Sequence, residues 1–240
     1  MAPSPAAKSE LTPTGKLRVG INYGNFLLVT RHSDTGYTGI AVDLGKDLGK
    51  RLDVAVELVP FATAGKLADA VKAGAWDVAF LGNEPQRAGD IAFSPAYLEI
   101  EATYLVPAGS KIRTIADVDR EGVRIATAVN SAYDLYLSRT LKHATLVRAN
   151  AIQGSYDVFV KDKLEVLSGL RPRLVTDAET LPGSRVLDGR FTAVQQSIGT
   201  PRGRPAAAAY LSEFAGEIKT SGFVAEAIAR HAVRGVTVAA

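Results

Sequence analysis

Arg87 is the residue whose type and setting point most directly to chemistry. It follows an apolar run, Val78 to Leu81, and a turn containing Gly82, Asn83, Glu84 and Pro85. Open α/β sheets bind ligands just outside the carboxyl ends of their strands, where such a turn would place the side chain. A guanidinium there suits a carboxylate, because its planar fork can donate two parallel charge-assisted hydrogen bonds. The bland alternative is a solvated or structural arginine, since a pocket needs only a few polar groups.

Other chemistries find little support. Cysteine is absent, which excludes disulfides, thiolate-bound zinc, iron–sulfur clusters and a thiol nucleophile. The histidines His32, His143 and His231 have no His or acidic partner at metal-ligand spacing. No metal and no cofactor is therefore expected. With 28 basic and 25 acidic residues scattered along the chain, the net charge of +3 gives no reason to expect nucleic acid as a partner. No apolar run reaches transmembrane length.

The elements that would position Arg87 follow a β-α-β-α-β order. Leu17 to Ile21 reads as a buried strand. A helix from Gly39 to about Leu52 has Val42, Leu44, Leu48 and Leu52 on one face. Val54 to Val59 alternates as a strand, Ala64 to Lys72 is a helix closed by Gly74, and Trp76 to Leu81 is the next strand, with Trp76 in the core. From Phe93 to Val106 the chain is extended. The alternation then restarts with strands at Val123–Thr127, Thr145–Arg148 and Leu164–Leu167. Helices are expected at Ala132–Leu141, Ser155–Lys161 and Leu170–Ala178. Phe191 to Ser197 is extended again, and helices from Pro205 to Lys219 and Gly222 to His231 close the chain. This order predicts an α/β fold with two mainly parallel sheets, joined by two extended segments near residues 101–106 and 190–196. The first lobe would combine 15–103 with 195–240 and the second would span 104–194. Residues 1–14 are small, Pro-rich and aperiodic, and are expected to be disordered.

Several segments together resemble the bacterial extracellular solute-binding proteins of the amino-acid type, family 3. Tyr37-Thr-Gly-Ile-Ala-Val-Asp-Leu44 is similar to the family's "G-F-D-x-D-L" entry into its first helix. Ala73-Gly-Ala-Trp-Asp-Val78 is similar to "x-G-x-x-D", and Arg87 to Tyr97 to "R-x-x-x-x-x-F-S-x-P-Y", with the spacing of six from Arg87 to Phe93 kept. The resemblance covers about Gly15 to Val238. It implies the periplasmic binding protein type II fold, in which two lobes close about a hinge on a solute. It also implies a membrane-embedded ABC importer permease as partner, a periplasmic location and a monomer. The N-terminal segment is compatible with a mature exported protein whose signal was replaced by an initiator Met, or with a cytosolic protein having a loose start.

By this resemblance Arg87 clamps the ligand carboxylate. Asn130-Ser131-Ala132 resembles the second lobe's "G-T-T" turn, so Ser131 and the amides at Ala132 would meet the same carboxylate; Ser131 reads equally as a plain N-cap. Tyr23 and Phe26 stand where the family places an aromatic wall, Phe80 where it lines the pocket with small hydroxyls, and Tyr133 at the rim. Asn83 and Glu84 share the turn before Arg87.

One departure affects the ligand class. Amino-acid binders hold the ammonium with an aspartate in the second lobe. If Gly154-Ser-Tyr-Asp157 is the motif, Asp162 is that acid, but the preceding crossover is then very short. If Ser155 to Lys161 is instead the helix, Ser168, Gly169 and Leu170 occupy the place and the acid is missing. Glu84 and Glu101 are the candidate substitutes. The expected function is capture of a small carboxylate-bearing solute. The alternatives are a cyclohexadienyl-dehydratase-like enzyme, with Glu84, Glu99, Glu101 or Glu165 as general acid, and a receptor's sensory domain, which would need a membrane span.

Overall fold

The computed structural model describes residues 2–32 and 36–240. In chain order the elements are α1 (Pro5–Leu11), β1 (Leu17–Asn22), β2 (Thr30–His32), β3 (Gly36–Thr38), α2 (Ile40–Leu52), β4 (Val56–Phe61), α3 (Ala64–Asp69), β5 (Val78–Gly82), β6 (Ile91–Phe93) and β7 (Leu98–Val106). They continue with β8 (Arg124–Ala128), α4 (Ala132–Thr140), β9 (Thr145–Ala149), α5 (Ala151–Lys161), β10 (Val166–Leu170), α6 (Arg171–Glu179), β11 (Arg185–Val186), β12 (Thr192–Pro201), α7 (Pro205–Thr220), α8 (Phe223–Arg230) and β13 (Val236–Val238). The chain divides into two units, residues 1–99 with 195–240 and residues 100–194.

In the first unit β4, β1 and β5 are parallel neighbours, and β12 adds to β5 antiparallel. All of β5 is buried, as a central strand covered on both faces must be. β4 lies at the edge, where Pro60 leaves no central ladder bond missing. Helix α2 buries Ile40, Val42, Leu44, Leu48 and Leu52. Two glycines let it approach the sheet. A Cβ at Gly45 would stand 2.9 Å from Val19 Cγ1, and one at Gly49 would stand 2.1 Å from Val56 Cγ2. On the other face Trp76 is fully buried with Leu67, Ala79, Leu81 and Ile91, and its indole N–H donates to the Leu67 carbonyl at 2.9 Å. Asp77, also fully buried, is held by Arg18 and Arg204 at 2.8 and 3.0 Å.

The second unit repeats the arrangement. β9, β8 and β10 run parallel, and β7 pairs antiparallel with β10. Successive β7 residues pack on opposite faces, Tyr104 and Val106 with Ile125, Leu137 and Val166, and Leu105 with Phe159, Leu164 and Leu174. The long strands β7 and β12 pass through both units. Bonds from the residues just before each strand join them within each unit: the Tyr97 N–H donates to the Gln196 carbonyl in the first, and the Phe191 N–H to the Ala102 carbonyl in the second.

Three expectations need correction. Residues 1–14 were expected to be disordered, yet α1 forms there, capped by Ser4 and started by Pro5. Its Ala7 and Leu11 are buried, and Glu10 accepts the Ala207 N–H at the start of α7. Seven residues are too few to show a period, and Met1 lies outside the described residues. Helix α5 starts at Ala151 rather than Ser155, so Gly154 and Asp157 lie inside it and Asp157 accepts from Gln153. Strand β10 begins two residues later than expected, at Val166, and α6 follows it directly at Arg171.

Candidate functional site

Parallel strands bring their carboxyl ends to one edge, so each unit has a single edge where loops and helix starts gather. In the first unit the edge is formed beyond Asn22, Phe61 and Gly82. After β5 the chain passes Asn83, which is exposed and whose N–H donates to the Gln195 carbonyl at 2.8 Å. It then makes a single 3-10 turn at Pro85–Arg87. This turn folds Arg87 back on its own strand, where its Nη1 donates to the Gly82 carbonyl at 2.7 Å. The Arg87 side chain is buried, with 6% of its residue surface exposed, and so is Glu84. Burial lowers the guanidinium pKa to about 10, and the fields of Glu84 and Asp69 oppose that shift. Burying a cation is costly, and Arg87 carries that cost on this edge with Glu84 and Asp69 offsetting part of it.

Tyr23 follows β1 directly, with its N–H bonded to the Phe61 carbonyl at 3.0 Å. The turn behind it is fixed by Asn22 and Asn25, whose side-chain oxygens accept from Gly24 and Leu27. Phe26 is 44% exposed. The β2–β3 hairpin, in which five of six residues are exposed, is not foreshadowed in the residue pattern. Its Tyr37 stacks on Tyr23 at 6.0 Å, and its Arg31 guanidinium lies 5.3 Å from the Tyr23 ring centre. Short polar strands lack the alternation that reveals longer ones.

Phe80 does not belong to this edge. Only 2% of it is exposed; it meets Tyr97 edge-on at 6.0 Å, and α2 covers it near Gly45. Because helices cover both faces of β5, its body side chains are core, and only residues past its end reach the edge.

In the second unit helices α4, α5 and α6 begin at the carboxyl ends of β8, β9 and β10. Asn130 takes a left-handed conformation at φ 57°, and Ser131 caps α4 by accepting the Asp134 N–H at 3.1 Å. Asp134 in turn accepts the Asn130 N–H at 2.9 Å and pairs with Arg148 at 3.0 Å. Ala132 is buried. Tyr133, expected at a rim, is 97% covered, and burial pushes its hydroxyl pKa up.

Glu101 is not an available partner for an ammonium. Arg171 donates to it at 2.6 Å and Arg190 lies 3.8 Å away, while Arg171 also donates to the Leu187 carbonyl. Asp162 is an exposed residue ending α5, before β10 begins and so at the opposite end of that strand from its carboxyl edge. The carboxyl end of β10 holds Ser168, whose hydroxyl donates to the Ala126 carbonyl, then Gly169 and Leu170. Among the described residues no group of three His, Asp or Glu could hold a metal, and no helix is long and apolar enough to cross a membrane.

The profile of the bacterial extracellular solute-binding proteins, family 3, matches residues 17–233. No curated protein matches the sequence. Among solved structures, the solute receptor for L-cysteine of Neisseria gonorrhoeae aligns with a TM-score of 0.79 and 18% identity, covering 97% of this chain and 96% of that one. An ancestral amino acid-binding protein, a precursor of cyclohexadienyl dehydratase, aligns with a TM-score of 0.76 and 22% identity over 93% of this chain and 98% of that one. A putative binding component of an ABC transporter from Wolinella succinogenes, complexed with lysine, gives 0.76 and 21% over 90% and 95%. Identities this low establish the fold alone, and that fold is the two-lobe periplasmic binding protein type II class.

Proposed function

This chain belongs to the bacterial extracellular solute-binding proteins, family 3, and from that membership we propose that it captures a small carboxylate-bearing solute, an amino acid or related organic acid, for an ABC importer. The solute is held by hinged closure of the two lobes and passed to a membrane-embedded permease, with the protein acting as a periplasmic monomer. The observation that supports the carboxylate is Arg87: a guanidinium 6% exposed, turned onto the carboxyl end of a central strand, with a pKa lowered by desolvation. A ligand carboxylate would relieve that desolvation through charge-assisted hydrogen bonds. Tyr23, Phe26, Asn83 and Glu84 surround the same edge in this reading, and Ser131 with the amide of Ala132 serves the second unit's edge.

The dehydratase reading gains no support from two of the acids it would use. Glu101 is paired with Arg171, and Arg124 holds the Glu165 carboxyl below its usual range. A Glu165 carboxyl held in that way is a poor proton donor near neutral pH.

A thermal-shift screen of amino and organic acids tests the proposal, because a ligand that binds only the native state raises the melting temperature. A carboxylate should raise it in the native sequence and fail to do so in Arg87→Ala. A shift that survives the substitution removes Arg87 from the site.

A further inference from the structure

The β2–β3 hairpin adds a second cation to the first unit's edge. Arg31 stands opposite Tyr37 in the hairpin register, so both side chains lie on one face. The Tyr23 ring receives both, with Tyr37 stacked at 6.0 Å and the Arg31 guanidinium at 5.3 Å. Tyr23 is the first residue beyond β1 and is tied to the end of β4. Arg31 is therefore held at the same edge that carries Arg87. Its side chain is exposed, and among the described residues it has no carboxylate partner. A guanidinium already packed on a ring loses little freedom when it gains a ligand. The ring contacts also take up Tyr23, leaving the half-exposed Phe26 as the aromatic with surface to offer a solute.

The charges on this edge are unequal. Arg87 has Glu84 beside it, whereas among the described residues Arg31 packs on the Tyr23 ring and pairs with no carboxylate. A cationic solute side chain would meet uncancelled repulsion there, and a neutral one would gain nothing. We propose that Arg31 is a specificity-determining residue and that the solute carries a second carboxylate, distal to the one that Arg87 receives. The proposal rests on the solute-binding reading above and names the substrate class of the same site.

Isothermal titration of the full chain with two probe pairs tests it: L-glutamate against L-glutamine, and 2-oxoglutarate against 2-oxoglutaramate. Each pair differs only in the distal charge, and the second lacks an ammonium. In at least one pair the acid should bind about tenfold or more tighter than its amide, the scale of one charged hydrogen bond. Arg31→Gln should bring that ratio close to one at an unchanged melting temperature, and Arg31→Lys should restore much of it. Amides that bind as well as the acids, or a ratio that survives Arg31→Gln, overturn the proposal but leave the solute-binding reading intact if Arg87→Ala abolishes binding. Failure of the native protein to bind any of the four probes counts against both.

Discussion

The carboxyl edges of the two units are built from the same parallel β-α plan but handle charge in opposite ways. In the first unit β5 ends in a single 3-10 turn, too short to offer a helix terminus, and the turn instead places a buried guanidinium at the strand end. In the second unit all three parallel strands run straight into α4, α5 and α6, whose first turns provide backbone N–H groups. The α4 start is partly satisfied from within, because Ser131 accepts one N–H and the Asp134 carboxylate takes the Asn130 N–H. That carboxylate stands where the helix dipole would otherwise attract a foreign anion. The contrast teaches that similar topology can set unlike charges at the strand ends. The first unit should carry most of the carboxylate recognition, and the second should contribute shape and one hydroxyl.

The strongest way to break this contrast is Arg87→Ala. Removing one partner of a desolvated charge pair costs about 2–5 kcal/mol of binding. Calorimetry with the bound carboxylate should show that loss, and an unchanged affinity would move the anchor to the second unit. The matching change there is Asp134→Ala. It deprives Arg148 and the Asn130 N–H of their acceptor, and unfolding in urea should show a loss of about 1–3 kcal/mol. Carboxylate affinity should not fall, because the α4 start then loses a competing anion. A fall as large as that of Arg87→Ala would show the second edge to be the anchor.

A pH titration sharpens the same comparison. In the proposed site the cationic form of Arg87 would bind the carboxylate, and burial lowers its pKa to about 10. Affinity should therefore be constant across neutral pH and decline as pH rises through about 10. The decline approaches tenfold per pH unit, or about 1.4 kcal/mol. Arg87→Lys should keep a pH-dependent affinity with a different midpoint, while a flat profile in the native protein would show that the charge on Arg87 does not govern binding.

The sequence revealed the parts of this design that repeat over many residues. The α2 stripe from Val42 to Leu52, the fully apolar β5 and the β-α order made the α/β class legible, and Trp76 reads correctly as core. Local exceptions were hidden. The α1 helix spans under two full turns, and the β2–β3 hairpin is nearly all polar, so neither shows a period. Side-chain direction was hidden as well. Phe80 and Tyr133 sit next to edge positions in sequence but point into the core, and Glu101 looked available because Arg171 is 70 residues away in the chain. Pairings at that separation come from topology, which a single sequence shows only in outline.

The smallest expected effect separates the two roles of Ser131. As an N-cap its hydroxyl oxygen accepts the Asp134 N–H at 3.1 Å, so Ser131→Ala should cost about 1 kcal/mol of stability whether or not a ligand is present. A hydroxyl that also donates to the bound carboxylate adds a loss of affinity, about 1 kcal/mol for an ordinary hydrogen bond and more for a charged one. Ser131→Asp distinguishes the two roles, because aspartate caps as well as serine but brings a negative charge to the edge. Stability should be kept in that variant while carboxylate affinity drops below that of Ser131→Ala. Equal affinity in all three proteins would confine Ser131 to capping, and carboxylate recognition would then lie with the first unit.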